Sequence, residues 1–398
     1  MTAVSFRFIR TRGQVMPYLV ILYVVIILVF VRHNFAGKEN VEEFLRSSLH
    51  IAPDSGVGLH NKGTAEITFF IILCEGKPND NQGGKTASDI ARQLRQAAVM
   101  LKSAAALSTS VLRFIVVADS KKFFLRFVNT TSSWPQVYKK RVIFEYRDVW
   151  YPADREDMRS MFRVCATERL FLPDMFPKLD AAIYIDTDLV FLRPPEQLWQ
   201  EFRKFNDVQL AAMAPCLYHY GTRKNKVPFY GKTGLNAGIM HMNITRMRKF
   251  SEGWTAANMK MFDKYKKKIK LADQDILNIL FHKYGELVYE LGCEWNYRIF
   301  QCSQGYNMCP HAATNGVSIL HGNAMAFVNG AEMKLQVIFE SWEQHVLGSS
   351  LDHLLATIWD KLEAVSTNHQ PSKCARVSNI NNILTKELQK HLLNNYSL

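Results

Sequence analysis

An α/β fold, with a mainly parallel sheet, helices on both faces and one membrane-spanning helix ahead of it, follows from three features of the sequence. From Glu66 onward, apolar runs of strand length alternate with stretches of helical spacing. Those runs are continuously apolar, so both faces of the sheet are covered. Ahead of them stands a charge-free segment, Val15 to Val31, with no equal elsewhere in the chain. The 398 residues are 48% hydrophobic and 21% charged, enough for a sizeable core and unlike a disulfide miniprotein or a disordered tail. The formal net charge is +13, and the seven cysteines leave at least one thiol without an intrachain partner.

The apolar segment spans roughly 25 Å as a helix, the short end of what crosses a bilayer. A cleaved signal peptide and a retained anchor both begin this way. The run exceeds a typical signal core, and Arg32-His33-Asn34-Phe35 follows in place of a small-residue cleavage site, which favours the anchor. Arg7, Arg10 and Arg12 precede it, so the positive-inside rule places residues 1–14 in the cytosol as a tail, 15–31 in the membrane, and the rest in the lumen. Residues 32–65 read as a stem. Luminal exposure makes Asn129, Asn243 and Asn395 glycosylation acceptors, each heading an Asn-x-Ser/Thr triplet.

The body takes up residues 66–346. Ile67–Leu73 is a buried-type strand. Thr86 to Leu107 is helical, with Ile90, Leu94, Ala98 and Leu101 on one face and Ser88 as a candidate cap. Strands follow at Phe114–Ala118, Val142–Phe144 and Ala181–Ile185, with a helix from Asp154 to Leu172 stopping at Pro173. A short helix is marked by Leu198 and Phe202. Gln209–Ala214, Leu235–Met242, Leu287–Leu291 and Val317–Leu320 are further strands; residues near 272–284 and Glu332–His345 are helical. Residues 347–398 form a polar, helical C-terminal extension. Such sheets bind ligands beyond the carboxyl ends of their strands, so motifs just after strands carry the most information.

Asp186-Thr187-Asp188 directly follows the strand Ala181–Ile185. Two carboxylates two residues apart can point the same way, and they repel unless a cation lies between them. Hard oxygen donors suit Mn²⁺ or Mg²⁺, and such an ion neutralises charge on a departing diphosphate. A solvated surface turn would show the same residues, but the place at a buried strand end favours the ion. His321-Gly322-Asn323 follows another strand; a neutral imidazole suits Mn²⁺, and Gly322 admits a close phosphate. Asp273-Gln274-Asp275 opens a helix, with Asp273 as an N-cap and a carboxylate and amide facing a sugar. Thr233-Gly234-Leu235-Asn236-Ala237-Gly238 offers small residues and one amide to a polar ligand. Gly84-Lys85-Thr86 imitates a phosphate loop but lacks its first glycine, since residue 79 is Asn79. The lysines Lys260, Lys264, Lys266, Lys267, Lys268 and Lys270 read as a solvated face; the topology argues against nucleic acid. Cys302 and Cys309 are close enough to close a small disulfide loop, and Cys74 reads as packed or beside the ligand.

These stretches, together with Met100–Ala104, Arg169–Pro173, Phe191–Pro194, Ala211–Pro215, Tyr230–Gly234, Met242–Arg248 and Trp295–Arg298, resemble the glycogenin-type retaining glycosyltransferases. Within them they resemble the glucoside xylosyltransferase group, in order over roughly residues 67–345. The resemblance implies a nucleotide-sugar transferase type A fold with one Rossmann-like catalytic domain in residues 66–346. It implies Mn²⁺ (or Mg²⁺) held by Asp186, Asp188 and His321. It places UDP near Cys74, Arg169 toward the donor diphosphate and sugar, and Asn236, Ala237, Gly322 and Gln274 along the donor, with Asp273 orienting donor or acceptor. The implied reaction moves xylose from UDP-xylose, with retention, onto O-linked glucose of EGF-like repeats such as those of Notch, in the Golgi or endoplasmic reticulum membrane. A hexose donor or a non-catalytic glycan-binding relative are the alternatives. The pattern departs from the family at Ala324, where an arginine is expected, and over Cys216 to Val227, a loop that borders the acceptor in this reading.

Overall fold

The computed structural model describes residues 66–76, 86–161, 165–220, 226–367 and 372–396. The tail, the apolar run, the stem and Gly84-Lys85 lie outside the described residues. Among the described residues, no helix is long and apolar enough to cross a membrane.

Among the described residues ten strands form two sheets. β1 (Glu66–Leu73), β2 (Val111–Ala118), β3 (Val142–Asp148), β4 (Ala181–Ile185), β6 (Ala211–Pro215), β7 (Leu235–Asn243) and β8 (Val288–Glu290) make a seven-stranded sheet in the order β3-β2-β1-β4-β7-β6-β8. β1–β2, β2–β3, β1–β4 and β6–β8 are parallel, as expected of continuous apolar runs; β7 is antiparallel to both β4 and β6. Phe69, Phe114 and Phe144 are register partners across β1, β2 and β3. Their rings form a ladder with centroids 5.3 and 5.9 Å apart, an arrangement that keeps three large side chains out of water on one face.

The chain runs outward from β1 to β3 and returns to β4 on the other side of β1. The order therefore reverses between β1 and β4, which opens a crevice beyond their carboxyl ends. A second sheet, β5 (Leu189–Phe191), β10 (Ile319–His321) and β9 (Tyr297–Arg298), completes that crevice. β5 begins one residue after Asp188 and pairs antiparallel with β10, His321 opposite Leu189.

Helix α1 (Ala87–Leu107) is capped by Thr86, not Ser88: the Thr86 hydroxyl accepts from the Asp89 N–H at 3.1 Å and the Asp89 carboxylate accepts from the Thr86 N–H at 3.3 Å. α2 (Lys121–Asn129), β5 and β9 were not foreseen, and of α3 (Trp254–Tyr265) only the lysine-bearing end was expected, as a helix face and loop. The lysines from Lys260 to Lys270 are exposed along the end of α3 and beyond it, as the solvated face requires. The expected helix from Asp154 to Leu172 is broken into Glu156–Met161, a turn Glu168–Phe171, and Leu172–Met175. The break has a local cause: Cys165 sits at φ 63° and is bonded to Cys74, which no continuous helix allows. Pro173 lies in the first turn of the last piece and so starts a helix instead of stopping one.

Residues 347–398 supply α6 (Leu351–Thr367) and α7 (Ile380–Tyr396), which follow α4 (Ala272–Lys283) and α5 (Met333–Gln344). They are joined to the body by the Cys302–Cys374 disulfide and by Lys334 Nζ, which donates to the Leu362 carbonyl at 2.6 Å and to Asn381 at 2.7 Å. The cysteine expectations need correcting. Cys302 pairs with Cys374 and Cys309 with Cys293, because tertiary proximity overrides sequence distance. Cys74 is buried and lines the site cavity as expected, and it is also the disulfide partner of Cys165, which was not foreseen. Cys216 is the buried, unpaired cysteine that the odd count requires.

Candidate active site

Beyond the carboxyl ends of β1 and β4 lies a cavity of about 1110 Å³. Its wall contains Cys74, Arg169, Asp186, Asp188, Asn236, Ala237, Asp273, Gln274, His321 and Gly322, every donor, metal and catalytic residue picked from the sequence. The topology explains the convergence. β7 runs antiparallel to β4, so its start lies beside the end of β4, and the Asp186 N–H donates to the Gly238 carbonyl at 2.8 Å. β10 runs antiparallel to β5, so its end lies beside Asp188, and the Gly322 N–H donates to the Asp188 carbonyl at 2.7 Å.

One ligating atom from each of Asp186, Asp188 and His321 falls within a 4.8 Å cluster. His321 Nε2 is 3.5 Å from an Asp186 oxygen and 3.4 Å from an Asp188 oxygen. The tautomer is set by a chain of amides. The Gly238 N–H can only donate, and it donates to Asn236 Oδ1 at 3.1 Å. Asn236 Oδ1 also accepts from Asn296 Nδ2 at 2.8 Å, which leaves Asn296 Oδ1 to accept from His321 Nδ1 at 2.8 Å. In the neutral ring the proton is on Nδ1 and the Nε2 lone pair faces the two carboxylates, as a metal-ligating imidazole requires. Gly238 is needed for space: a Cβ there would lie 2.3 Å from His321 Cε1 and 2.9 Å from Asp186 Oδ2.

The carboxylates respond to one another. Burial raises the Asp186 pKa, Arg169 and His321 pull against it, and Asp188 pushes it further up. Burial would raise Asp188 too, but His321, the Asp188 N–H and Arg92 together leave it below the ordinary aspartate value. A divalent cation among these three groups would relieve that strain, so the residues fit one.

Arg169, 9% exposed, ion-pairs with Asp273, donates to the Ala237 carbonyl, and reaches the Tyr184 hydroxyl at 3.1 Å and Asp186 at 3.6 Å. Its guanidinium lies over the Tyr184 ring, 3.8 Å from the centroid. Tyr184 in turn donates to Asp186 at 2.7 Å. Burial pushes Asp273 up to about 6 against the pull of Arg169. Asp273 is not the cap expected of it: Leu271 holds that position, and Asp275 accepts from the Lys270 and Leu271 N–H groups at 2.7 and 2.9 Å. Arg169 has drawn Asp273 toward the cavity instead. Gln274 Oε1 accepts from Asn236 Nδ2 at 2.8 Å and from the Ala237 N–H at 3.1 Å, so its oxygen is already engaged.

Tyr184, Asn296 and Arg298 were not expected to build the site; Gly238 was, as the end of the small-residue motif. Tyr184 was detectable, since it precedes Asp186 by two residues and so leaves the strand on the same side. Asn296 was not; it meets His321 only because β9 and β10 pair. Ala324, where a cation was expected, lines the cavity at φ 54°. Of the loop Cys216 to Val227, Cys216 and His219 line the cavity; residues 221–225 lie outside the described residues. Asn129 is exposed at the end of α2, whereas Asn243 accepts from the Arg246 N–H at 3.0 Å and caps a short helix; the Asn395 side chain lies outside the described residues.

Comparison with known proteins supplies the family. Residues 90–325 match glycosyl transferase family 8. Glucoside xylosyltransferase 1 of Danio rerio is 35% identical over 305 residues, 73% of this chain and 73% of the relative. Glucoside xylosyltransferase 2 of Xenopus laevis is 33% identical over 313 residues, covering 75% and 72%, and glucoside xylosyltransferase 1 of Mus musculus is 34% identical over 319 residues, covering 76% of each. With a match of that length and a carboxylate–imidazole cluster at the strand ends, the chain belongs to glycosyl transferase family 8 and is an enzyme related to the glucoside xylosyltransferases.

Proposed function

We propose that the chain transfers xylose from UDP-xylose, in α-linkage and with retention, to O-linked glucose on EGF-like repeats such as those of Notch. The observation that carries the reading is the Asp186, Asp188 and His321 cluster in the wall of the large cavity, in a chain so similar to glucoside xylosyltransferases. Those three residues would hold Mn²⁺, with Mg²⁺ as the lesser fit to an imidazole. When bound, the ion supplies Lewis-acid neutralisation of charge on the departing diphosphate.

The chain's own residues favour a front-face displacement. A double displacement needs a nucleophile opposite the leaving group. The Gln274 oxygen is occupied by two donors, and Asp273 is held by Arg169. In the front-face reaction the acceptor hydroxyl oxygen bonds to the anomeric carbon as the bond from that carbon to the phosphate oxygen breaks. The electron pair leaves with UDP, and the hydroxyl proton passes to the departing phosphate oxygen. Arg169 orients Asp273 and Asp186; the Asn236–Gln274 pair shapes the sugar's surroundings.

In this reading residues 15–31 anchor the chain as a type II protein of the Golgi or endoplasmic reticulum membrane, and residues 66–346 form the luminal catalytic domain. The Cys74–Cys165, Cys293–Cys309 and Cys302–Cys374 disulfides support an oxidising compartment.

The test is a donor screen. The full chain in detergent is incubated with Mn²⁺, a glucosylated EGF-like repeat and each UDP-sugar in turn, and the product is weighed by mass spectrometry. A pentose increment from UDP-xylose alone is expected. A hexose increment would replace the donor, and a wild-type chain that neither transfers nor binds UDP would overturn the reading.

A further inference from the structure

The sheet order β1-β4-β7-β6 gives the cavity a direction. The end of β6 lies two strands from β4, on the side away from β1. The nucleotide end belongs to the order reversal between β1 and β4, so the β6 side is left for the acceptor. Two aromatic rings meet on that side. Phe300 lines the cavity, and Tyr218 stacks on it with centroids 5.4 Å apart and ring planes 1° from parallel. Tyr218 is 38% exposed and Phe300 is half-buried, so the pair is not part of the core.

Both rings stand on braced backbone. Arg298, 2% exposed, donates to the Pro215 carbonyl at 3.0 Å and the Cys216 carbonyl at 2.9 Å, clamping the segment that leads to Tyr218 onto the one that leads to Phe300. Cys302, two residues after Phe300, is bonded to Cys374. Leu217, at φ 60°, turns Tyr218 outward, and its N–H donates to Thr233 Oγ1 at 3.2 Å. A rigid apolar surface at the rim of a cavity otherwise rich in polar groups matches one occupant well. A pyranose ring presents a C–H face that lies on an aromatic ring and a hydroxyl edge that needs hydrogen-bond partners.

We propose that the Phe300–Tyr218 pair is the acceptor platform: it takes the C–H face of the acceptor's pyranose and turns its hydroxyl edge toward the Gln274 and His219 side of the cavity. Phe300 sets acceptor affinity; Tyr218 buttresses it from behind. The proposal deepens the transferase reading above and rests on it.

Initial rates with a glucosylated EGF-like repeat and UDP-xylose are measured for the full chain, Phe300→Ala, Phe300→Leu, Phe300→Tyr and Tyr218→Ala, with thermal melting as a check on folding. Phe300→Ala and Phe300→Leu are expected to raise the acceptor KM about tenfold while the donor KM stays within about twofold. Phe300→Tyr should keep the wild-type value, and exposed Tyr218→Ala should raise it about threefold. An unchanged acceptor KM in Phe300→Ala, full rescue by leucine, or an equal rise in both KM values would overturn the platform. A wild-type chain that transfers normally beside an indifferent Phe300→Ala removes the platform alone. A wild-type chain inert toward the glucosylated repeat with every UDP-sugar removes the transferase reading and the platform with it.

Discussion

Among the described residues lie two clusters of metal-ligating side chains, one of Asp186, Asp188 and His321 and one of Cys293, Glu294 and His311. By composition alone the second is as plausible a site as the first. Their surroundings separate them. Cys293 is bonded to Cys309, which leaves no thiolate for an ion. The His311 side chain is 63% exposed, 3.2 Å from the buried Glu294, so the imidazole of this cluster stands in solvent. His321 is 3% exposed, and an amide chain anchored on a backbone N–H aims its Nε2 at two carboxylates. Each cluster offers an imidazole and a carboxylate; a third free ligand and the partners that orient the imidazole are found in the first.

That contrast can be broken or sharpened by substitution, beginning with the largest effect. Asp188→Asn should lower transfer on the order of a thousandfold and leave circular dichroism unchanged, since it removes one of two charges that hold the ion. Wild-type turnover in a folded Asp188→Asn chain would end the assignment. Gly238→Ala should cost roughly a hundredfold, because its Cβ would fall 2.3 Å from His321 Cε1 and displace the ring. Titrating Mn²⁺ into both chains and following UDP binding checks this; equal midpoints would show that the imidazole does not ligate. Asn296→Ala should weaken Mn²⁺-dependent UDP binding by about tenfold to a hundredfold, the usual cost of losing a partner that orients a metal-bound histidine. An effect confined to thermal stability would mean Asn296 only packs. Glu294→Gln is the smallest change: UDP binding should stay within about twofold and stability within about 1 kcal/mol. A large loss of metal-dependent binding in Glu294→Gln would make the second cluster the working one.

The halves of the chain differed in how readable they were. β1, β2 and β4 are parallel and largely buried on both faces, so each stands out as an apolar run bounded by polar residues; of the edge strand β3 only Val142 to Phe144 is apolar. β5 and β9 are three and two residues long, too short for any period to show. Asp186 and Asp188 were legible because a paired acid after a buried strand has few other uses. Arg169 was legible only through the resemblance, and its partner Asp273 was mistaken for a helix cap because an aspartate at a helix start is usually one. The disulfides were misread for a related reason. Cys302 is seven positions from Cys309 in the chain, yet its partner Cys374 lies 72 residues on.

By itself the sequence determined the succession of apolar runs, the carboxylates and imidazole available to an ion, and the apolar segment Val15 to Val31, because each is written in local composition and spacing. Only the tertiary structure decided which cluster can serve an ion, which cysteines pair, and which ring of which loop lines the cavity. Those outcomes depend on β7 running back along β4 and β10 along β5, contacts between residues tens to more than a hundred positions apart that no local period encodes.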